Sequence, residues 1–188
     1  MEEETMKFMA EIDFAFENVP TRIVANRNQP EIKIAGLAVG PFEEGNEYET
    51  YYWVAVELEK FGIVKIREEE NLVARINKIQ WTERVQTAGQ ISKLPEDFYP
   101  KLRRCLAELK KDSAKAPEKL LEYEKARHLT RDIVNSRLKK IVSIASAPAQ
   151  TEHAFRNFTV EERFLYDKLH ALISEWRKQI LEHKVEEE

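Results

Sequence analysis

A long helical pattern between residues 120 and 147 constrains the fold of this chain more than any other feature. Apolar residues recur there at steps of three and four, and a second row runs beside the first, so the apolar surface is wide. Pro117 precedes the pattern and Pro148 ends it, because proline is tolerated in the first turn of a helix and cannot continue its hydrogen-bond ladder. A helix of about 28 residues is roughly 40 Å long, which predicts packing on neighbours beyond its own chain. The first row is Leu121, Ala126, Leu129, Ile133, Ile141, Ile144 and Ala145, and the second is Val134 and Leu138.

Charge and pattern divide the chain at the same place. Residues 1–70 hold 7 Lys or Arg against 16 Asp or Glu, a net charge of −9, whereas residues 71–188 hold 23 against 18, a net charge of +5. The pattern changes there from strand-like to helical. We therefore predict an α+β protein with a small β-rich domain over residues 1–70 and a larger all-α domain, a helical bundle, over residues 71–188.

The first domain is expected to hold a few strands around one short helix. Residues 6–16 are apolar with a mixed period and are interpreted as strand-like. Residues 51–61 fit either a strand or a helix, and Gly62, as the residue after a helix end, favours a helix. Further strands are predicted at residues 21–25, 32–35 and 63–66.

The second domain is expected to contain four helices. They are predicted at residues 71–85 with a possible extension to 93, from Pro100, over the long pattern, and after Thr159. Thr159 and Glu162, three residues apart, have the spacing of a capping box. The apolar face of the last helix is Leu165, Leu169, Leu172, Ile173, Trp176 and Ile180.

No residues in the sequence have the spacing of a catalytic or metal site. The five glycines form neither a GxGxxG nor a GxxxxGK motif, and the four histidines have no Cys or carboxylate at metal-ligand spacing in their helices. Cys105 is the only cysteine, which excludes an intrachain disulfide, and it is interpreted as a small core residue. We expect no enzyme activity and no cofactor. The acidic start and the lack of an apolar run of ~20 residues predict a cytoplasmic protein without a membrane span.

Charged residues in the long helix allow three interpretations. Arg127, Asp132 and Arg137 are interpreted first as structural ion pairs on a solvated face. The second interpretation is direct DNA binding by a basic stripe, which acidic neighbours dilute and no aromatic residues interleave. The third is an interface with another protein. The basic stripe comprises Arg127, Arg131, Arg137, Lys139 and Lys140.

Motifs along most of the chain, in a fixed order, resemble those of the subunits of the GINS replication complex. The chain is similar to the subunit class in which the small β domain precedes the helical one, and its few insertions resemble the archaeal type. The matching motifs are Gly36, Gly40-Pro41-Phe42, residues 53–58, Lys65-Ile66, Leu94-Pro95, Phe98-Tyr99, residues 127–133, Arg137, residues 139–141, and residues 157–159 with Glu162.

The resemblance implies a scaffold with no active site that works through its partners in DNA replication. It implies a heterotetramer with a sister GINS subunit, which links the MCM helicase to a RecJ-like or Cdc45-type protein. Nucleic acid would be contacted only weakly or indirectly, and the protein would be nucleoid-associated at the replication fork. The expected partner interface lies on the apolar faces of the two longest helices and comprises Leu129, Ile133, Ile141, Ile144, Leu169, Leu172 and Trp176.

Overall fold

The computed structural model describes residues 2–67, 72–86, 90–114, 116–147 and 155–182. It confirms the α+β class, and the chain divides into two compact units, Met1–Asn71 and Leu72–Glu188. The division falls one residue from the boundary expected from charge and pattern. Each unit has its own hydrophobic core.

The first unit combines two helices with two small antiparallel sheets. Strands β4 (Glu47–Tyr51), β1 (Pro20–Ala25) and β5 (Val64–Ile66) form a three-stranded sheet in that order, and β2 (Ile32–Ile34) and β3 (Leu37–Val39) form a hairpin. In the hairpin turn both Ala35 and Gly36 have positive φ angles, as the turn of a two-residue hairpin requires. The elements are α1 Glu2–Glu17, β1 Pro20–Ala25, β2 Ile32–Ile34, β3 Leu37–Val39, β4 Glu47–Tyr51, α2 Tyr52–Lys60 and β5 Val64–Ile66.

The core of the first unit lies between α2 and the larger sheet. Ile23 of β1 and Val64 of β5 are fully buried against Val54 and Leu58 of α2. Helix α2 ends as predicted at Gly62, whose φ of 65° suits glycine. There Gly62 N donates to Glu59 O at 2.8 Å and Ile63 N donates to Leu58 O at 3.0 Å, the two hydrogen bonds of a Schellman motif.

Three elements of the first unit differ from the sequence prediction. The segment interpreted as strand-like, residues 6–16, lies within helix α1, so the described part of this unit has two helices and not one. Strands β3 and β4 were not predicted, because acidic residues in β4 alternate with Tyr48 and Thr50 in a stretch that resembles a polar loop. The strands predicted at residues 21–25, 32–35 and 63–66 are confirmed as β1, β2 and β5.

The second unit is a bundle, and in its described residues the long helix packs on three other helices. Its helices are α3 Leu72–Val85, α4 Phe98–Ser113, α5 Pro117–Ala145 and α6 Val160–Leu181. Residues 90–93 are not helical, so an extension of α3 to residue 93 is wrong, and residues 87–89 lie outside the described part of the chain. No helix in the described ranges is long and apolar enough to cross a membrane.

Two hydrophobic clusters hold the helices of this bundle together. Ile133 of α5 packs with Ile76, Phe98 and Leu102 in the first cluster, and Ile141 of α5 packs with Tyr166 of α6 in the second. Helix α6 begins at the predicted capping box. Glu162 N donates to Thr159 Oγ1 at 3.3 Å, and Thr159 N donates to Glu162 Oε2 at 3.1 Å.

Candidate protein interface

A buried cluster of four charged residues, called here the ion cluster, fixes the helices of the second unit. It consists of Arg137 and Lys140 from α5, Glu83 from α3 and Glu162 from α6. Arg137 Nη2 donates to Glu162 Oε2 at 2.7 Å, Arg137 Nε donates to Glu162 Oε1, and Arg137 Nη1 donates to Glu83 Oε1 at 2.6 Å. The planar guanidinium group therefore binds the Glu162 carboxylate with two of its nitrogens and the Glu83 carboxylate with its third nitrogen.

Further hydrogen bonds complete the coordination of both carboxylates. Lys140 Nζ donates to Glu83 Oε2 at 2.7 Å, and Ser92 Oγ donates to Glu83 Oε1. Tyr99 Oη of α4 donates to Glu162 Oε1 at 2.7 Å. Each of α3, α4, α5 and α6 thus contributes a side chain, and every carboxylate oxygen in the cluster has a donor.

The pKa values in the cluster follow from this pairing. Burial by itself raises the pKa of Glu83, but hydrogen bonds from Lys140 and Ser92 and the charge of Arg137 outweigh burial and lower it. Burial lowers the pKa of Arg137, and the hydrogen bonds and charge of Glu162 more than reverse that effect. Burial and the adjacent Glu162 carboxylate raise the pKa of Tyr99 well above its ordinary value. Glu83 and Arg137 are therefore ionised at neutral pH, and the Tyr99 side chain beside them is neutral.

The ion pairs predicted among Arg127, Asp132 and Arg137 are wrong, because each of these side chains pairs with a residue outside this set. Arg127 lies near Glu124, with 3.6 Å between Nη1 and Oε1, and Asp132 Oδ2 lies 3.8 Å from His128 Nε2. Residues five apart on a helix point in different directions, so Asp132 faces neither arginine. Glu83, Glu162 and Tyr99 surround Arg137 but lie far from it in sequence. Of these three residues, only Glu162 belongs to a motif that the sequence shows, the capping box.

The structure separates the seven residues predicted for the partner interface into two groups. Ile133 and Ile141 are enclosed in the cores of the bundle, and Leu129, Ile144 and Leu169 pack against those cores. These five side chains therefore serve the packing of this chain itself. Leu172 and Trp176 are exposed, and their place in a partner interface stays a prediction.

The second half of α6 carries an apolar stripe that the described part of the chain leaves uncovered. Leu172, Trp176 and Ile180 follow one another at steps of four residues and are 63%, 61% and 60% exposed. Arg177 Nη2 donates to Ser146 O at 2.7 Å, at the C-terminal end of α5. Trp176 and Ile180 thus lie where α5 ends. We call these three residues the α6 stripe.

Helix α5 carries a second apolar row on its exposed side. Val134, Leu138 and Val142 also recur at steps of four and are about two-fifths exposed. They are half-covered, whereas the α6 stripe is largely open. Each of these two helices therefore carries three apolar side chains in an exposed row, a feature suited to contact with another protein.

The basic stripe predicted on α5 does not exist as one surface. Arg137 and Lys140 are buried in the ion cluster and have carboxylate partners there, while Arg127, Arg131 and Lys139 are exposed. Two of the five cations are therefore unavailable to phosphate groups, which weakens the DNA-binding interpretation. Among the described residues no group of three or more His, Cys, Asp or Glu side chains is arranged to hold a metal ion.

Comparison with known families gives one match, and it covers more than half of the chain. The family model Sld5, described as the GINS complex protein helical bundle domain, matches residues 71–181. The match coincides with the helical unit and does not extend over the β-rich unit. No curated protein matches the chain.

Proposed function

The chain belongs to the family of GINS complex proteins, which act in DNA replication, and from this premise we propose that it is a non-catalytic scaffold that assembles with a sister subunit into a heterotetramer. In that assembly it links the MCM helicase to a RecJ-like or Cdc45-type protein at the replication fork. Its helical bundle supplies the contact with the sister subunit. Its motif order, with few insertions, favours an archaeal-type subunit.

The observation that carries the proposal is the α6 stripe. Isolated exposed apolar residues are ordinary on protein surfaces, but three large ones in register on one helix face are not. Trp176 is the central residue of the stripe, and tryptophan is enriched among the residues that dominate binding energy. We therefore expect this face of α6 to bind in an apolar groove of the sister subunit.

The size of the stripe is sufficient for a substantial contribution to binding. Fully burying such a side chain contributes about 1.5–3 kcal/mol, and because the three are about 60% exposed, together they contribute roughly 3–5 kcal/mol before the cost of ordering the partners. An exposed ion pair on the rim contributes at most about 1 kcal/mol. Assembly should therefore depend on the apolar stripe more than on any surface charge.

Co-expression with the sister subunit and size-exclusion chromatography with light scattering test the proposal. We expect the unmodified chain to elute with its partner at the mass of a heterotetramer. Trp176→Glu places a charge in the middle of the α6 stripe and should abolish the complex or weaken it at least about a hundredfold.

Trp81→Glu is the matched control, because Trp81 lies in α3 outside the α6 stripe and is 66% exposed. This variant should assemble like the unmodified chain. A stable monomer that ignores its partner would refute the scaffold proposal. Normal assembly of Trp176→Glu would remove the α6 stripe from the interface.

A further inference from the structure

A polar groove lies between α3 and α5 beside the ion cluster, whose Glu83 and Lys140 are among its lining residues. It encloses about 640 Å³, within the usual range of ligand-binding clefts. Gln80, Arg84 and Gln86 line it from α3 and the residue that follows it, and Asn135, Ser136 and Lys139 line it from α5. Val134, Leu138 and Val142, the apolar row of α5, are not among its lining residues.

Two exposed cations, one from each wall, are available to a ligand in this groove. Arg84 and Lys139 form no ion pair within the described residues. The other charged lining residues are already paired. Lys140 binds Glu83, and Asp132 Oδ2 accepts a hydrogen bond from Gln80 Nε2 at 3.4 Å.

The remaining lining groups are uncharged donors and acceptors. Gln86 Oε1 is a buried acceptor without a hydrogen-bond partner in the described part of the chain. Side-chain amides such as those of Gln86 and Asn135 can both donate to a peptide carbonyl and accept from a peptide N–H.

From this arrangement we propose that the groove binds an extended acidic segment of a partner protein, with Arg84 and Lys139 holding a carboxylate side chain and the amides of Gln86 and Asn135 binding the peptide backbone. Arginine forms paired hydrogen bonds with a carboxylate, and lysine adds a second charge from the opposite wall. The groove does not include the α6 stripe, so the segment that it binds can be tested separately from assembly with the sister subunit.

The charge balance favours an acidic protein segment over nucleic acid. Arg84, Lys139 and Lys140 carry three positive charges, and Glu83 and Asp132 carry two negative ones, so the lining has a net charge of +1. A nucleic-acid backbone brings a charge at every phosphate and requires clustered excess cation. One net positive charge instead matches one or two carboxylates.

Apolar side chains beside the groove would bind the neighbouring residues of such a segment. Trp81 and Val85 each follow a lining residue along α3, and they are 66% and 64% exposed. Alternate residues of an extended peptide point to opposite sides. A segment in which acidic and apolar residues alternate therefore fits the groove and its rim.

Fluorescence polarisation with the full chain tests the proposal. The probe is a fluorescein-labelled peptide, Gly-Ser-Glu-Leu-Glu-Leu-Glu-Ser-Gly, and its control is the same peptide with Gln in place of Glu. We expect saturable binding of the acidic peptide and much weaker binding of the neutral one. Arg84→Glu and Lys139→Glu should each weaken binding about ten- to a hundredfold, because each replaces an attraction by a repulsion.

Two matched variants control for a general effect of surface charge. Lys78→Glu changes an exposed cation of α3, and Arg131→Glu changes one of α5, and neither residue lines the groove. Both should bind the peptide within about twofold of the unmodified chain. Circular dichroism of all four variants checks that the helices are intact.

Three results would overturn the proposal. They are no binding of the acidic peptide, equal loss of binding in the groove and control variants, and tight binding of single-stranded oligothymidine that Arg84→Glu and Lys139→Glu abolish. The test of peptide binding does not depend on assembly with the sister subunit, so the two proposals can fail separately. Arg84→Glu should assemble normally with the sister subunit, and Trp176→Glu should bind the peptide normally.

Discussion

At the scale of the residue, Arg137 shows how tertiary contacts decide the role of a charge. Its sequence neighbours allowed an ion pair with Asp132, but its partners come from α3 and α6. Local spacing identifies neighbours within one helix and contains no information about which other helix lies opposite. The capping box of Thr159 and Glu162 was predictable because it is a local motif. The second role of Glu162, as the partner of Arg137, was not.

Removal of the Arg137 guanidinium should destabilise the bundle strongly. In Arg137→Met, Glu83 keeps Lys140 but Glu162 loses its charged partner inside the protein. Breaking a buried ion pair from one side typically costs about 3–5 kcal/mol. Urea unfolding followed by circular dichroism measures the change.

The control for this variant is Arg131→Met, which removes an exposed arginine from the same helix. Its free energy of unfolding should lie within about 0.5 kcal/mol of the unmodified value. A loss below about 1 kcal/mol in Arg137→Met would show that the cluster contributes specificity and little stability.

The pKa of Glu83 predicts a dependence of stability on acid. Its pKa is lower in the folded chain than its ordinary value of 4.5, so folding favours the ionised form. The resulting stabilisation is complete above about pH 4.5 and is lost as the pH falls through the lowered pKa. The free energy of unfolding of the unmodified chain should therefore decrease with falling pH in this range.

Glu83→Gln should show a smaller decrease over the same pH range, because the titrating group is absent. Glu124→Gln, which alters an exposed pair with Arg127, is the control and should keep the unmodified slope. Urea titrations at a series of pH values give both slopes. Equal slopes for Glu83→Gln and the unmodified chain would contradict the prediction.

At the scale of the element, the sequence predicted correctly those helices whose apolar residues recur with a clear period. Helices α5 and α6 were predicted because their apolar residues recur at steps of three and four over many turns. Helix α1 was missed because Met6 and Phe14 are apolar but exposed, and they obscure the face of Phe8, Ile12 and Phe16. Strand β4 was missed because its acidic residues point outward in a short element.

Gly62 allows a test of how α2 ends. Gly62→Ala should lower the free energy of unfolding of the first unit by about 1–2 kcal/mol, because alanine is strained at a φ of 65°. No atom lies within 4 Å of an added Cβ, so the cost is conformational and not steric. Fluorescence of Trp53, which packs on the core of the first unit, reports the transition when Trp81 and Trp176 are replaced by Phe.

Asparagine adopts left-handed backbone conformations more readily than alanine. Gly62→Asn should therefore destabilise less than Gly62→Ala. The reverse order would mean that the strain of φ does not determine the cost.

At the scale of the whole molecule, the sequence indicated the division of the chain but not its surfaces. Net charge and pattern both change near residue 70, and the two compact units meet at residues 71 and 72. The apolar period alone could not separate Ile133, which is buried, from Trp176, which is exposed. Both belong to the apolar face of a helix, and the packing of other helices decides which of them is covered.

Two separate binding surfaces on one bundle make a crossed experiment possible. Trp176→Glu should lose assembly and keep the acidic peptide, and Arg84→Glu should do the opposite. A variant that loses both functions would point to unfolding, which circular dichroism detects.

The carboxylate of Glu162 also sets the rotational phase of α6. It accepts hydrogen bonds from the backbone of Thr159, from Arg137 of α5 and from Tyr99 of α4. Turning the helix by one residue, about 100°, would break the bonds from Arg137 and Tyr99, whereas the capping-box bond from Thr159 turns with the helix. Glu162 therefore determines the direction in which Trp176 points, although the two residues lie about 21 Å apart along the helix axis. Recognition of a companion protein can thus change through a substitution that never touches it.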